Sequence, residues 1–207
     1  MTVAAFTSTG SKHPEALFGG LLDGVPVRMT RSAGCTVHGS DGRAYLDFVM
    51  ALGAVALGYG HPEVNAAVID AVERGGVGSL SPVDEEALAS DLSDSLPWVG
   101  SVRFLKSGAE AVAAAVRLAR VATGRDAVLG CGYHGWLDWC SEGVGVPMAV
   151  RALYGTLPFN DCEATRTRVR AVGDRLACVV IEPMIERAPD RAWLNILRDI
   201  DKDGIRL

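Results

Sequence analysis

The chain begins with short β-rich runs and then changes to helical periodicity. Residues 27–48 carry β-branched and aromatic residues in runs separated by turn residues, and the turn 40–42, Ser-Asp-Gly, lies between two such runs. From Pro62 to Gly75 the apolar residues recur three and four apart instead. We predict a small antiparallel meander followed by an amphipathic helix.

Further along, predicted helices and strands alternate. Helices are expected over residues 84–96, 108–122 and 161–172, and strands over 102–105, 127–130 and 177–181. A last helix is expected to carry Leu194, Leu197 and Ile200 and to stop at 203–204. The last of these strands is apolar throughout, which is typical of a strand buried on both faces of a parallel sheet. The alternation predicts a three-layer α/β domain. Residues 205–207 resemble the start of a further strand, so we expect a longer parent protein.

Composition excludes several classes of protein. Hydrophobic residues make up 49% of the 207 residues, which is enough for a substantial core. The formal charge is -5, and acidic and basic residues are scattered along the chain, which argues against nucleic acid as a partner. No apolar run is long enough for a membrane span and no secretory signal is evident, so we predict a cytoplasmic protein. The cysteine and histidine spacings match no metal site, and none is predicted.

One strand–helix junction carries groups that suit a particular kind of ligand. A predicted strand leads to Ser107, Gly108 and Ala109 at the start of a helix. Unpaired backbone N–H groups, the positive end of the helix dipole and a hydroxyl suit a phosphate monoester. The alternative is an ordinary N-cap, in which Ser107 and Glu110 form a capping box. The junction by itself leaves both interpretations open.

The chain resembles the class III aminotransferases, in particular the branch that includes glutamate-1-semialdehyde aminomutase. The matching blocks are, in chain order, GCTVHGSDGRAYLDFVMALGAVALGYGHPEV, VRFLKSGAEAV with the following RLAR and TGRD, GYHGWLDW, LPFND and VVIEP. The resemblance implies the type I fold of pyridoxal-phosphate enzymes, with a three-layer α/β/α large domain and a smaller domain built from both chain ends. Residues 1–58 would belong to the small domain, and residues 59–207 to the N-terminal part of the large domain, which would be incomplete.

The resemblance also implies site residues. Ser107, Gly108 and Ala109 would hold the phosphate of pyridoxal 5'-phosphate. Tyr133 would stack on the pyridine ring with His134 as its neighbour, and Glu182 would lie close to the cofactor. From the residues alone, a Tyr-His pair after a strand is more often a half-buried core pair, and Glu182 could be a solvated carboxylate at a strand end.

The family's Schiff-base lysine and its pyridine-binding aspartate match no residue of this chain. We therefore expect no catalytic residue here and an inactive chain, with Lys106 as the one candidate substitute among three lysines. The parent is expected to be a homodimeric aminotransferase or aminomutase that moves an amino group from a small amine donor to an aldehyde or ketone. A non-catalytic partner or truncation, and a racemase or decarboxylase on the same fold, remain alternatives. The residues after Gly135 differ from those of the aminomutase, which leaves the substrate open.

Overall fold

The polypeptide divides into two units, Met1–Glu86 and Ala87–Leu207. The computed structural model describes residues 6–20, 23–26, 28–185 and 187–202. Its strands are β1 (Met29–Ala33), β2 (Thr36–Gly39), β3 (Ala44–Leu46), β4 (Ala127–Cys131), β5 (Tyr154–Thr156) and β6 (Leu176–Ile181). Its α-helices are α1 (Pro14–Phe18), α2 (Pro62–Glu73), α3 (Val83–Ser95), α4 (Gly108–Thr123), α5 (Met148–Arg151), α6 (Cys162–Val172) and α7 (Arg191–Lys202).

The first unit contains the predicted antiparallel meander. Strands β1, β2 and β3 pair in chain order, and β2 pairs with β3 across the turn 40–42. Gly42 adopts a φ of 81°, which favours glycine, and the Asp41 carboxylate accepts a hydrogen bond from the Arg43 amide. The prediction of a hairpin at this turn is confirmed.

Helix α2 is also confirmed, but its apolar stripe is not covered. The helix starts at Pro62, whose fixed φ suits the first helical position. None of its residues is buried, and Val64, Val68 and Val72 are 47%, 56% and 70% exposed. The amphipathic pattern therefore formed a helix without burying the face that the pattern marks.

The second unit contains a parallel sheet in the order β5-β4-β6. Strand β6 pairs with β4 so that Val128 lies beside Cys178 and Cys131 beside Ile181. The first four residues of β6 are buried. This confirms the prediction of a strand buried on both faces of a parallel sheet.

Helices cover both faces of this sheet. On one face, Leu129 and Val179 pack against α7, which contributes Trp193 and Leu197. On the other face, α4 packs with Val116 against neighbouring side chains of β4 and β6. The arrangement is the predicted three-layer α/β/α domain.

Helices α6 and α7 are joined by one buried polar contact. The Trp193 indole Nε1 donates a hydrogen bond of 2.9 Å to Thr165 Oγ1, and both residues are fully buried. The bond satisfies the indole N–H in a place that water does not reach.

Two strands differ from the sequence predictions. Residues 102–105 form no strand, because β-propensity produces a ladder only where another strand supplies the partner groups, and no described strand pairs with them. Strand β5 was not predicted, since three residues carry too short a pattern. Residues 205–207 lie outside the described residues, and the predicted domain boundary at 58/59 stays a prediction. In the part of the chain that is described, no helix combines the length and apolarity that crossing a membrane requires.

Candidate functional site

The N-terminus of α4 forms a cap with free backbone donors. Ser107 is the N-cap, and its Oγ accepts a hydrogen bond of 3.3 Å from the Glu110 amide. The amides of Gly108 and Ala109 occupy the first two helical positions, where no intrahelical acceptor exists. A side-chain atom added to Gly108 would meet nothing within 4 Å, so the space beside it is open. The predicted cap is confirmed, and it leaves two donors for an anion.

The side chain of Glu110 also contacts the Ser107 hydroxyl, in addition to the contact made by its amide. Its carboxylate Oε2 lies 3.1 Å from Ser107 Oγ and accepts the hydroxyl proton. The contact differs from a full capping box, in which the carboxylate reaches the backbone N–H of the N-cap. A phosphate bound at this helix end would compete with Glu110 for the same proton.

A second group of candidate residues lies where β4 and β6 end. Because Cys131 and Ile181 pair, the next residues of both strands leave the sheet at the same edge. The Glu182 amide donates to the Cys131 carbonyl at 2.8 Å, and the Tyr133 amide donates to Glu182 Oε2 at 3.0 Å. The carboxylate of Glu182 is thereby directed at the loop after β4.

Tyr133 and His134 occupy opposite environments. The Tyr133 side chain is 75% exposed, whereas His134 is 7% exposed. The His134 ring stacks on Trp139 at 6.3 Å between centroids, and Trp139 meets Tyr154 edge-on at 5.9 Å. The alternative of a core pair is therefore wrong for Tyr133, whose ring is free to stack on another ring. It fits His134.

Burial is the main influence on the pKa of His134. Removal of the ring from water lowers its pKa, and the negative charge of Glu182 partly opposes this. Nε2 of His134 and Nε1 of Trp139 are buried and have no hydrogen-bond partner among the described residues. Burial therefore favours the neutral imidazole, whose ring packs on Trp139.

Gly135 joins the two groups of residues. Its φ is 105°, and a Cβ placed on it would lie 2.6 Å from the Ala109 Cβ. The loop after β4 consequently rests on the first turn of α4, a contact that only glycine permits. The structure therefore brings residues 107–109, 133–135 and 182 together at one edge of the sheet.

Comparison with known proteins assigns the chain to a family. A family model described as Aminotransferase class-III matches residues 22–200. The chain belongs to the class-III aminotransferase family. As a class-III aminotransferase chain it is 38% identical over 207 aligned residues to a glutamate-1-semialdehyde 2,1-aminomutase of Syntrophus aciditrophicus, a match that covers 90% of this chain and 48% of that protein. It is also 38% identical over 181 residues to a 2'-deamino-2'-hydroxyneamine transaminase of Streptomyces kanamyceticus, covering 86% and 46%.

A solved relative supports the fold in three dimensions. A transaminase with PLP bound superposes with a TM-score of 0.78 and 32% identity, covering 86% of this class-III aminotransferase chain and 46% of its own. The parallel sheet with helices on both faces therefore matches part of the fold of that transaminase. The chain spans about half the length of the curated relatives that it matches.

Sequence reasoning missed the residues that assemble the site. Gly132 and Gly135 flank the Tyr-His pair, and both have a positive φ. The spacing of these two glycines was the available signal, because conserving room for a close contact is a common reason for glycine in a loop. No signal in the sequence indicated that Trp139 stacks on His134 or that Tyr154 meets Trp139 edge-on.

Proposed function

We propose that this chain is the cofactor-binding part of a pyridoxal-phosphate-dependent aminotransferase or aminomutase. The complete enzyme would transfer an amino group from a small-molecule donor to an aldehyde or ketone. The observation that carries the proposal is the contact of Gly135 with Ala109, which sets the N-terminus of α4 against the loop that carries the exposed Tyr133. Membership of the class-III aminotransferase family supports the reaction class.

The residues fit the cofactor at both of its ends. The amides of Gly108 and Ala109 are donors at the helix N-terminus, and the space beside Gly108 is open, which suits a dianionic phosphate. The Ser107 hydroxyl would donate to that phosphate in place of Glu110. The exposed Tyr133 ring suits a flat, electron-poor ring. Pyridoxal phosphate, when bound, supplies an aldehyde that takes up an amino group and a ring that accepts electron density. The chain's own residues would bind the phosphate and orient that ring.

The chain by itself is proposed to be inactive. Lys106 directly precedes the cap residue Ser107 and is exposed. An amine becomes a good nucleophile at neutral pH when it is desolvated or placed next to another cation, and an exposed side chain lacks the first condition. Lys106 is therefore assigned to surface charge or phosphate contact. The exposure of Lys106 is also what favours the second candidate, a non-catalytic partner with the same fold.

The complete enzyme is proposed to be a cytoplasmic homodimer. Support for the dimer comes from the uncovered stripe of Val64, Val68 and Val72 on α2, because contiguous exposed apolar surface is typical of an interface. We expect the chain to self-associate in light-scattering measurements, and Val68→Gln to weaken that association. A monodisperse monomer at high concentration would contradict the assignment of this surface.

Titration with pyridoxal phosphate tests the proposed function. We expect saturable binding to the chain, detected by a change in cofactor absorbance, and no stoichiometric labelling of one lysine after borohydride reduction. Peptide mapping after reduction identifies any labelled lysine. Absence of saturable binding would contradict the cofactor assignment, and stoichiometric labelling of Lys106 would contradict the assignment of inactivity.

A further inference from the structure

The side chain of Glu182 is committed to the backbone of the neighbouring loop. Its Oε2 accepts the Tyr133 amide at 3.0 Å, and its own amide extends the β4–β6 ladder through the Cys131 carbonyl. The backbone of Glu182 is thus tied to β4, and its side chain to the loop that carries the aromatic residue. A hydrogen bond to a carboxylate is among the stronger kinds available in a protein.

Gly132 makes this arrangement possible. It has a φ of 98°, and a Cβ on it would overlap the Glu182 Cβ and come within 2.7 Å of Oε2. The glycine lets the backbone turn sharply and leaves its side-chain space to the carboxylate. Any other residue at position 132 would displace Glu182 from the Tyr133 amide.

The Tyr133 ring has little else to hold it. It is 75% exposed, so packing against the protein does not determine where the ring points. Its position is set by the backbone, which is held on one side by Glu182 and on the other by Gly135 resting against Ala109. A ring that must stack on a ligand needs such a rigid backbone, since small displacements are costly to orientation.

We propose that Glu182 is a positioning residue that acts on the cofactor through the backbone of Tyr133 and not by direct contact. The effect on the cofactor rests on the proposed function, whereas the hydrogen bond between Glu182 and the Tyr133 amide does not. Glutamine at this position offers a carbonyl oxygen in the same place without the charge, whereas alanine offers no acceptor. The pair of variants therefore separates a positioning role from an electrostatic one.

Residue-resolved amide hydrogen exchange on the unliganded chain tests the contact. We expect the Tyr133 amide to be protected, to exchange about tenfold faster or more in Glu182→Ala, and to regain most of its protection in Glu182→Gln. Glu163→Ala is the matched control, because that side chain is 82% exposed on α6 and remote in sequence from the loop. Unchanged Tyr133 exchange in Glu182→Ala would overturn the proposal.

Pyridoxal-phosphate titration tests the consequence. If Glu182 acts through Tyr133, Glu182→Ala should weaken binding and shift cofactor absorbance as Tyr133→Ala does. The double variant should bind no more weakly than Tyr133→Ala, and Glu182→Gln should restore most of the affinity. Equal losses in the glutamine and alanine variants would overturn positioning in favour of a direct charge effect. If the unmodified chain binds no cofactor while the exchange results hold, the proposed function fails and the positioning contact stands.

Discussion

Gly135 lies directly against Ala109, so close that a Cβ on the glycine would come within 2.6 Å of the alanine Cβ. This contact is where the loop after β4 meets the first turn of α4. The loop and the helix, which form the two sides of the candidate site, can approach this closely because Gly135 has no side chain.

Gly135→Ala should destabilise the chain and separate the two sides of the site. Overpacking of this kind costs about 1 to 3 kcal/mol, beyond the cost of a left-handed φ for alanine. Gly145→Ala is the control, because Gly145 has a φ of 94° with nothing within 4 Å. Chemical denaturation measures both variants. Equal losses would show that Gly135 supplies only its backbone conformation.

Ser107→Ala and Ser107→Gly should separate capping from phosphate binding. Both remove the hydroxyl, so the affinity for pyridoxal phosphate should fall about tenfold to a hundredfold, corresponding to a charge-assisted hydrogen bond of about 1.5 to 3 kcal/mol. Only alanine should also lower the free energy of unfolding by about 1 kcal/mol, because glycine is a tolerated N-cap. Unfolding and cofactor titration measure the two effects. Unchanged affinity in both variants would leave Ser107 as a helix cap alone.

Tyr133→Ala should affect the cofactor and not the fold. The ring is 75% exposed, so its removal should change the free energy of unfolding by no more than about 0.5 kcal/mol. Cofactor binding should weaken and its absorbance should shift, whereas Tyr133→Phe should keep both, since the ring remains. A drop in melting temperature with unaltered cofactor binding would mean that Tyr133 packs against protein instead.

Acidification should destabilise the chain through His134. Burial lowers its pKa below the ordinary 6.5, so the unfolded chain binds a proton that the folded chain resists. Stability should therefore be intact above the unfolded pKa and fall as the pH drops below it. Denaturation over a series of mildly acidic pH values should show a weaker dependence in His134→Phe. Parallel curves for the two proteins would contradict the assignment.

Thr165→Val should test the buried contact between α6 and α7. It leaves the Trp193 indole N–H without an acceptor in a fully buried place, which costs about 1 to 3 kcal/mol. Thr167→Val on the same helix is the control, since Thr167 is exposed. The free energy of unfolding from urea denaturation should fall only in the first variant. A similar loss in both would indicate an effect of valine on the helix itself.

The local structure of several segments could be predicted from the sequence. The hairpin turn needs its glycine, α2 starts at Pro62, and α4 runs from its Ser107 cap to the left-handed Gly124. The buried strand 177–181 was evident from its unbroken apolar run. Each of these features depends on residues within a few positions of one another, so the pattern of the chain was enough to predict it.

The site was decided only by tertiary structure. Residues 102–105 have the composition of a strand but form none, because pairing depends on a second strand. Tyr133 and His134 are neighbours in the chain, yet one is exposed and the other buried against Trp139. The partner of the Tyr133 amide lies 49 residues away, and it arrives there because parallel pairing aligns the ends of β4 and β6. Sequence determined which groups this chain has, and the register of its sheet determined which of them meet.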